Sequence, residues 1–149
     1  MLTIVLPIGI RISGIQSLET AKVAIKNRAA IAFVFDQKSS KYIDPLKASE
    51  ISEVLPKDVS IIGIFTDPSD EELKYCLNTI DLTRIQLNGN ESKDRVEFIK
   101  LWFSYYPLEA HLEAGQSLPP KYKKTRRFKR SIIKAISVNT KKDLEKIPI

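Results

Sequence analysis

The stretch RISGIQSLETAKVAIKNRAAIAFVF, residues 11–35, decides the fold, because the signals of a strand, a helix and a second strand follow one another in it. The apolar run Ile8–Ile12 predicts a first strand, and Ser17 is the predicted N-cap of a helix through Ile25. The run Ala30–Phe35 is apolar throughout, which is typical of a strand buried on both faces. The stretch therefore predicts one βα unit and the strand that follows it.

The same order of signals continues along the chain. Asp44 is a predicted N-cap with Pro45 at the first helical position, and Ser69 and Glu72 form a predicted capping box. The helix from Pro45 to Leu55 is expected to place Leu46, Ile51, Val54 and Leu55 near one face. The other predicted elements are strands at Val59–Phe65, Arg84–Gly89 and Ser131–Val138, and helices at Ser69–Ile80, Lys93–Phe103 and Lys141–Lys146, the last two capped by Ser92 and Thr140.

Repeated strand–helix units predict an α/β fold with about five parallel strands and four to five helices. Periodicity leaves two architectures open, a doubly wound sheet and a (β/α) barrel. No GxGxxG or GxxxxGK[ST] pattern occurs, so no phosphate-cradling loop supports a nucleotide-binding sheet. In a barrel the functional groups lie at the carboxyl ends of the strands. Those ends are Ser13-Gly14, Asp36–Lys41, Thr66-Asp67, Asn88-Gly89 and Asn139-Thr140.

Length and composition set the broad class. The chain has 149 residues, of which 43% are hydrophobic and 28% charged, as expected of a single soluble domain, 1–149. With Cys76 as its one cysteine it has no internal disulfide, and we expect Cys76 to be a buried small hydrophobe. The apolar leader Met1–Ile10 is too short to span a bilayer, so we expect a cytoplasmic protein with no membrane partner.

The net charge of +6 is concentrated in one segment, Lys121–Arg130, which holds seven basic residues and no acidic one. Basic residues with interleaved Tyr122 and Phe128 are able to contact phosphates and stack on bases. The alternative is a solvated insertion loop, which we favour, so nucleic acid is not the expected partner. Nearby, His111 with its neighbouring glutamates is interpreted as an exposed helical turn, and neither a metal nor a cofactor is expected.

Motifs at the predicted strand ends resemble those of phosphoribosylanthranilate isomerases, (β/α)8 enzymes of tryptophan biosynthesis. RISGI at residues 11–15 matches the family's Lys-Ile-Cys-Gly-Ile/Leu, and FVFDQKSSKYIDP at 33–45 matches Gly-Phe-x-Phe-x-x-x-Ser-Pro-Arg-Tyr-x-x-Pro. IQLNGNES at 85–92 matches x-Gln-Leu-His-Gly-x-Glu. IIGIF at 61–65 and IIKAISV at 132–138 are similar to the third and fifth strands. Each motif alone is weak, but together they keep the family's order and spacing.

The resemblance implies an incomplete (β/α)8 TIM barrel with a long basic insertion, 102–130, before its fifth strand. It implies a phosphoribosyl small-molecule substrate, N-(5′-phosphoribosyl)anthranilate, which the family converts from an aminoaldose to an aminoketose by an Amadori rearrangement. In the family the base is the cysteine of the first-strand motif, and the acid is an aspartate after the sixth strand. An arginine binds the anthranilate carboxylate, and loops after strands seven and eight hold the phosphate.

Carried over residue by residue, Ser13 stands at the cysteine position, Lys41 at the arginine position and Asn88 at the histidine position. All three depart from the family's pattern. A hydroxyl is far less acidic than a thiol, whose pKa is about 8.5, so Ser13 is a poor general base without a separate one. Lys41 keeps the charge of an arginine but loses the two-pronged geometry that matches a carboxylate.

Three hypotheses follow for the function. The first is an active isomerase with Ser13 and Lys41 in weakened roles. The second, which we expect, is a truncated pseudoenzyme that lacks strands six to eight, and with them the acid and the phosphate site. The third is a non-catalytic assembly module, a half-barrel that pairs with itself or another fragment through its open strand edges. In the third hypothesis, the segment Lys121–Arg130 binds nucleic acid or an acidic partner.

Overall fold

The computed structural model describes residues 9–105 and 131–146, in which strands and helices alternate. The strands are β1 (Arg11–Ser13), β2 (Ala30–Val34), β3 (Ile61–Phe65), β4 (Arg84–Leu87) and β5 (Ser131–Lys134). The α-helices are α1 (Leu18–Lys26), α2 (Pro45–Glu53), α3 (Asp70–Thr79) and α4 (Lys93–Tyr105), and a 3₁₀ helix follows at Lys141–Lys146. The predicted order of elements is confirmed, with strands one to four residues shorter than predicted.

All five strands are parallel, and their order in the sheet is their order in the chain, β1-β2-β3-β4-β5. A doubly wound sheet reverses its strand order at a switch point, whereas a barrel does not. The sequential order therefore decides for part of a barrel between the two architectures that periodicity left open. The register places Ser13 opposite Ala32 and Leu87 opposite Lys134, so the carboxyl ends of the strands form one edge.

The sheet is covered on both faces, which explains why its strands are apolar without alternation. A large core packs the helices on one face and includes Phe33, Phe65 and Phe103, each no more than 2% exposed. A smaller cluster on the opposite, concave face contains Ala32, Ile62 and Ile64. Successive side chains of a strand point to opposite faces, so this second cluster comes from alternate positions of β2 and β3.

Side-chain caps set the helix starts as predicted. The Ser17 hydroxyl accepts a hydrogen bond from Thr20 N, and the Asp44 carboxylate accepts one from Leu46 N ahead of Pro45. Ser69 and Glu72 form the reciprocal capping box of α3, and Ser92 accepts from Arg95 N at the start of α4. These contacts satisfy backbone N–H groups that have no partner inside the helix.

Two sequence predictions are wrong in detail. Leu46 and Val54 do not face the core but are 58% and 62% exposed, because α2 buries the face that carries Pro45, Ala48 and Ile51. The final helix is a six-residue 3₁₀ helix rather than an α-helix. The Asp143 carboxylate accepts hydrogen bonds from the backbone N–H groups at 139 and 140, which holds this turn at its start.

The end of α4 belongs to the core. Phe103 is 1% exposed, and Trp102 packs against the large core. Residues 102–105 of the predicted insertion are thus part of α4. His111 and the basic segment Lys121–Arg130 lie outside the described residues. None of the helices in residues 9–105 and 131–146 has the length and apolar composition of a membrane span.

Candidate functional site

The Lys41 side chain lies against Gly14, the residue that follows Ser13 at the carboxyl end of β1. Gly14, which follows Ser13, has a φ of +78°, and a Cβ built on it would lie 3.2 Å from Cγ of Lys41. The aliphatic stem of Lys41 therefore lies over the backbone next to Ser13. Both residues are exposed, and in residues 9–105 and 131–146 neither the Ser13 hydroxyl nor the Lys41 ammonium has a hydrogen-bond or ion-pair partner.

Gln16 holds the loop that carries Lys41. Its Nε2 donates to the carbonyl oxygens of Ser40 and Tyr42, at 3.3 and 3.1 Å, on either side of Lys41. Ile43 N donates to Val34 O and anchors the same loop to β2. Sequence reasoning missed Gln16, because a glutamine that bonds backbone carbonyls about 25 positions away leaves no local pattern.

We expect Gly14→Ala to lower the free energy of unfolding by about 1–3 kcal/mol, since an alanine there must keep a positive φ. The added methyl group would also press on the Lys41 stem. Urea unfolding measures the change. Gly9→Ala is the matched control, because a Cβ at Gly9 meets nothing within 4 Å. Equal stabilities for the two variants would contradict the geometry described for Gly14.

Asn88 lies on the same edge, directly after β4, with β2 and β3 between it and Ser13. Its backbone N donates to Phe65 O at 2.8 Å, and its side-chain Oδ1 accepts from Gln86 Nε2 at 2.9 Å. The Oε1 of Gln86 accepts in turn from the guanidinium of Arg11 in β1. The three predicted positions thus share an edge, and the Lys41 side chain lies against Gly14, the residue after Ser13.

Glu91 joins the loops after β3 and β4 to β5. Its Oε1 accepts from Asp67 N at 3.0 Å and from Gly89 N at 3.2 Å, and its Oε2 accepts from Lys134 Nζ at 2.6 Å. Lys134 Nζ also donates to Gly89 O at 2.5 Å. The Glu91 side chain is 2% exposed and that of Lys134 is 15% exposed. This buried ion pair fixes the edge where β3, β4 and β5 end.

The ion pair sets the protonation of Glu91. Burial by itself raises the pKa of this carboxyl group, but the hydrogen bond from Lys134, two backbone N–H groups and the Lys134 charge outweigh burial. The pKa therefore lies below its ordinary value of 4.5. Glu91 is ionised at neutral pH and acts as an acceptor of hydrogen bonds rather than as an acid.

Asp67 has an unusual backbone conformation at the end of β3. Its φ is +43°, and its carboxylate accepts a hydrogen bond from Asn90 N at 2.7 Å. A Cβ at Gly89 would overlap that carboxylate, so a larger residue there would have to displace the Asp67 side chain. An open cavity of about 530 Å³ beside it is lined by residues 35–38, 65–68 and Glu72. Its size is that of a small-molecule site.

Metal and thiol chemistry find no support in the described ranges. No group of three or more His, Cys, Asp or Glu side chains in them is placed to hold a metal ion. Burial, together with the charges of Glu72 and Asp44, raises the pKa of the Cys76 thiol to about 12. Cys76 is therefore a protonated core residue in α3, as predicted, and does not replace a catalytic cysteine.

Chemically, the edge offers an ammonium group at Lys41, an amide at Asn88 and a hydroxyl at Ser13. These groups suit anions and hydroxyl-bearing ligands. A proton transfer needs a positioned acid and a positioned base. The Ser13 hydroxyl has no neighbouring base in the described part of the chain, so the edge is better equipped to bind than to move a proton.

Comparison with known proteins identifies the relatives of this chain. The family model described as N-(5'phosphoribosyl)anthranilate (PRA) isomerase matches residues 10–136. The isomerase of that name from Paramagnetospirillum magneticum is 36% identical over 97 residues, which are 64% of this chain and 45% of the relative. The one from Hahella chejuensis is 40% identical over 85 residues, 56% of this chain and 40% of the relative. The chain spans about half the length of the curated relatives it matches.

Solved structures agree with the sequence relatives. The phosphoribosyl anthranilate isomerase of Thermotoga maritima matches with a TM-score of 0.68 at 28% identity, over 93% of this chain and 55% of that chain. A phosphoribosyl anthranilate isomerase in complex with reduced 1-(o-carboxyphenylamino)-1-deoxyribulose 5-phosphate matches with a TM-score of 0.69 at 28% identity, over 93% of this chain and 58% of that one. The fold is thus α/β and forms part of a TIM barrel.

Proposed function

The chain belongs to the N-(5′-phosphoribosyl)anthranilate isomerase family, and from that premise we propose that it keeps part of the family's substrate-facing edge while its isomerase activity is lost or severely reduced. The substrate class is a phosphoribosyl compound that carries an anthranilate group. Lys41 forms an ion pair with the anthranilate carboxylate, and Asn88 donates or accepts a hydrogen bond at the opposite end of the edge. The proposed location is the cytoplasm, where the expected biosynthetic chemistry takes place.

The environment of Ser13 carries the proposal. Ser13 stands where the family resemblance places the cysteine base, is exposed, and has no hydrogen-bond partner in the described residues. A general base must accept the proton from C2 of the substrate, and a neutral hydroxyl without a partner of its own does this poorly. The ammonium group of Lys41 donates hydrogen bonds and accepts none.

The experiment supplies N-(5′-phosphoribosyl)anthranilate to an excess of this chain and follows the fluorescence of the adduct. The proposal expects the same slow signal decay with the chain, with Ser13→Ala and with buffer alone, beside rapid decay with the Thermotoga maritima relative. An enzymatic rate that Ser13→Ala abolishes would overturn the proposal.

A second candidate function rests on the ends of the sheet. Among the described strands, β1 and β5 each pair on one side only, which leaves an unpaired edge at each end. Unpaired edges are places where a second chain adds strands, so a non-catalytic half-barrel that assembles with another copy is the alternative. Light scattering after size exclusion distinguishes the two candidates: a dimer across the micromolar range supports assembly, and a monomer throughout excludes it. A salt-dependent shift with RNA or DNA would add the basic segment Lys121–Arg130 to the alternative.

A further inference from the structure

A series of three polar side chains crosses the concave face of the sheet. Arg11 in β1 donates from Nη1 to Oε1 of Gln86 in β4, and Gln86 Nε2 donates to Oδ1 of Asn88 at 2.9 Å. The register places Gln86 opposite Ile64, on the face that carries the small apolar cluster. Gln86 is 7% exposed, so this polar residue is buried.

Arg11, the first member of the series, determines how the amide groups of Gln86 and Asn88 are oriented. A guanidinium only donates hydrogen bonds, so the group of Gln86 that faces Arg11 must be the oxygen. The amide nitrogen of Gln86 then faces Asn88, and the group of Asn88 that faces Gln86 must again be an oxygen. Reversing either amide would oppose two donors or two acceptors at partly buried atoms, which is costly. The Nδ2 group of Asn88, a donor, is what remains for the exposed edge.

We infer that Asn88 determines ligand specificity as a hydrogen-bond donor, and that Arg11 and Gln86 are positioning residues that hold it in this orientation. The inference rests on the proposed function, because it names what the same edge recognises. The matching ligand group is an oxygen acceptor, which a carboxylate, a phosphate or a sugar hydroxyl supplies. A ligand that offers only an N–H donor at this point is rejected.

Gln86→Glu separates this role from a structural one. A glutamate has nearly the shape of glutamine and accepts from Arg11 at least as well, but it has no donor for Asn88. Asn88 must then turn its Nδ2 group toward Glu at position 86 and present Oδ1 to the edge. Asn88→Asp reaches the same polarity directly, since the carboxylate only accepts. Asn90→Asp adds the same charge nearby and is the control, because Asn90 bonds through its backbone N.

The orientation is tested without ligand by NMR, through solvent exchange of the side-chain NH₂ groups. We expect slow exchange for Gln86 and fast exchange for Asn88 in the unaltered chain, and slow exchange for Asn88 in Gln86→Glu. A protected Asn88 NH₂ group in the unaltered chain would overturn the inference. This readout does not depend on turnover, so an active chain would overturn the proposed function and leave the inference standing.

Recognition is tested by calorimetric titration with three probes: reduced 1-(o-carboxyphenylamino)-1-deoxyribulose 5-phosphate, anthranilate and ribose 5-phosphate. We expect at least tenfold weaker binding of the reduced compound to Gln86→Glu and to Asn88→Asp, and unchanged binding to Asn90→Asp. Loss with anthranilate identifies the carboxylate as the acceptor, and loss with ribose 5-phosphate identifies the phosphate or hydroxyl end. Equal binding by all four proteins, or no binding of any probe to the unaltered chain, would overturn the recognition role.

Discussion

Lys134→Met is expected to lower the free energy of unfolding at neutral pH by about 3–5 kcal/mol, since it leaves the ionised Glu91 carboxylate buried without its countercharge. Backbone N–H groups at 67 and 89 still bond this carboxylate, but they do not neutralise it. Urea unfolding followed by circular dichroism measures the loss. Lys100→Met is the matched control, because the Lys100 and Glu97 side chains are both more than half exposed, and such pairs contribute little.

The pH dependence of stability, compared between the unaltered chain and Lys134→Met, gives a second readout of the same ion pair. In the unaltered chain the lowered pKa of Glu91 contributes stability that is present above its ordinary value of 4.5 and is lost as the pH falls through the folded-state value. In Lys134→Met burial dominates and raises that pKa, so acid relieves the buried charge. The stability difference between the two proteins should therefore shrink as the pH falls. A difference that stays constant from pH 7 to pH 4 would contradict this account of Glu91.

Phe65→Ala is expected to cost about 3–5 kcal/mol, the usual range for emptying a fully buried aromatic site. Phe65 is 2% exposed, and its ring lies 5.3 Å from that of Phe35 between centroids. A Cβ at Gly63 would come within 2.9 Å of the Phe65 ring, so the region has no spare space, and the glycine is what lets the ring fit.

Leu101→Ala is the control for Phe65→Ala, because Leu101 is 59% exposed and alanine favours the helix. We expect it to change the free energy of unfolding by less than about 0.5 kcal/mol. Both variants are compared by urea unfolding at one pH. Equal effects of the two substitutions would show that the core on the helical face of the sheet is not close-packed around Phe65.

The order of elements could be predicted because each depends on local chemistry. Apolar runs gave the strands, and Ser17, Asp44 and the Ser69–Glu72 capping box gave the helix starts. Which face of α2 is buried could not be predicted from its residues. Leu46 and Val54 are apolar and helically spaced, yet tertiary packing buries the smaller Ala48 instead.

Some features of the candidate site could likewise be predicted from local sequence, and others could not. Two motifs on neighbouring strands predict that Ser13 and Lys41 reach the same edge, and Gly14 shows how close the Lys41 side chain comes to the backbone after Ser13. The contact of Arg11 with Gln86 joins residues 75 positions apart, and no local pattern announces it. The pairing of Glu91 with Lys134 likewise depends on how β5 is registered on β4. Local sequence thus predicts which residues lie at the edge, but the pairing and register of the strands determine which of them are in contact.

The isomerisation rate of the unaltered chain shows directly whether its isomerase activity is lost or severely reduced. The chain and the Thermotoga maritima relative are given the same N-(5′-phosphoribosyl)anthranilate solution at equal protein concentration, and the decay of its fluorescence is recorded. If Ser13 is a poor base, as proposed, the decay is expected to be no faster than that of the substrate in buffer. A decay close to that of the relative, lost on Ser13→Ala, would contradict it.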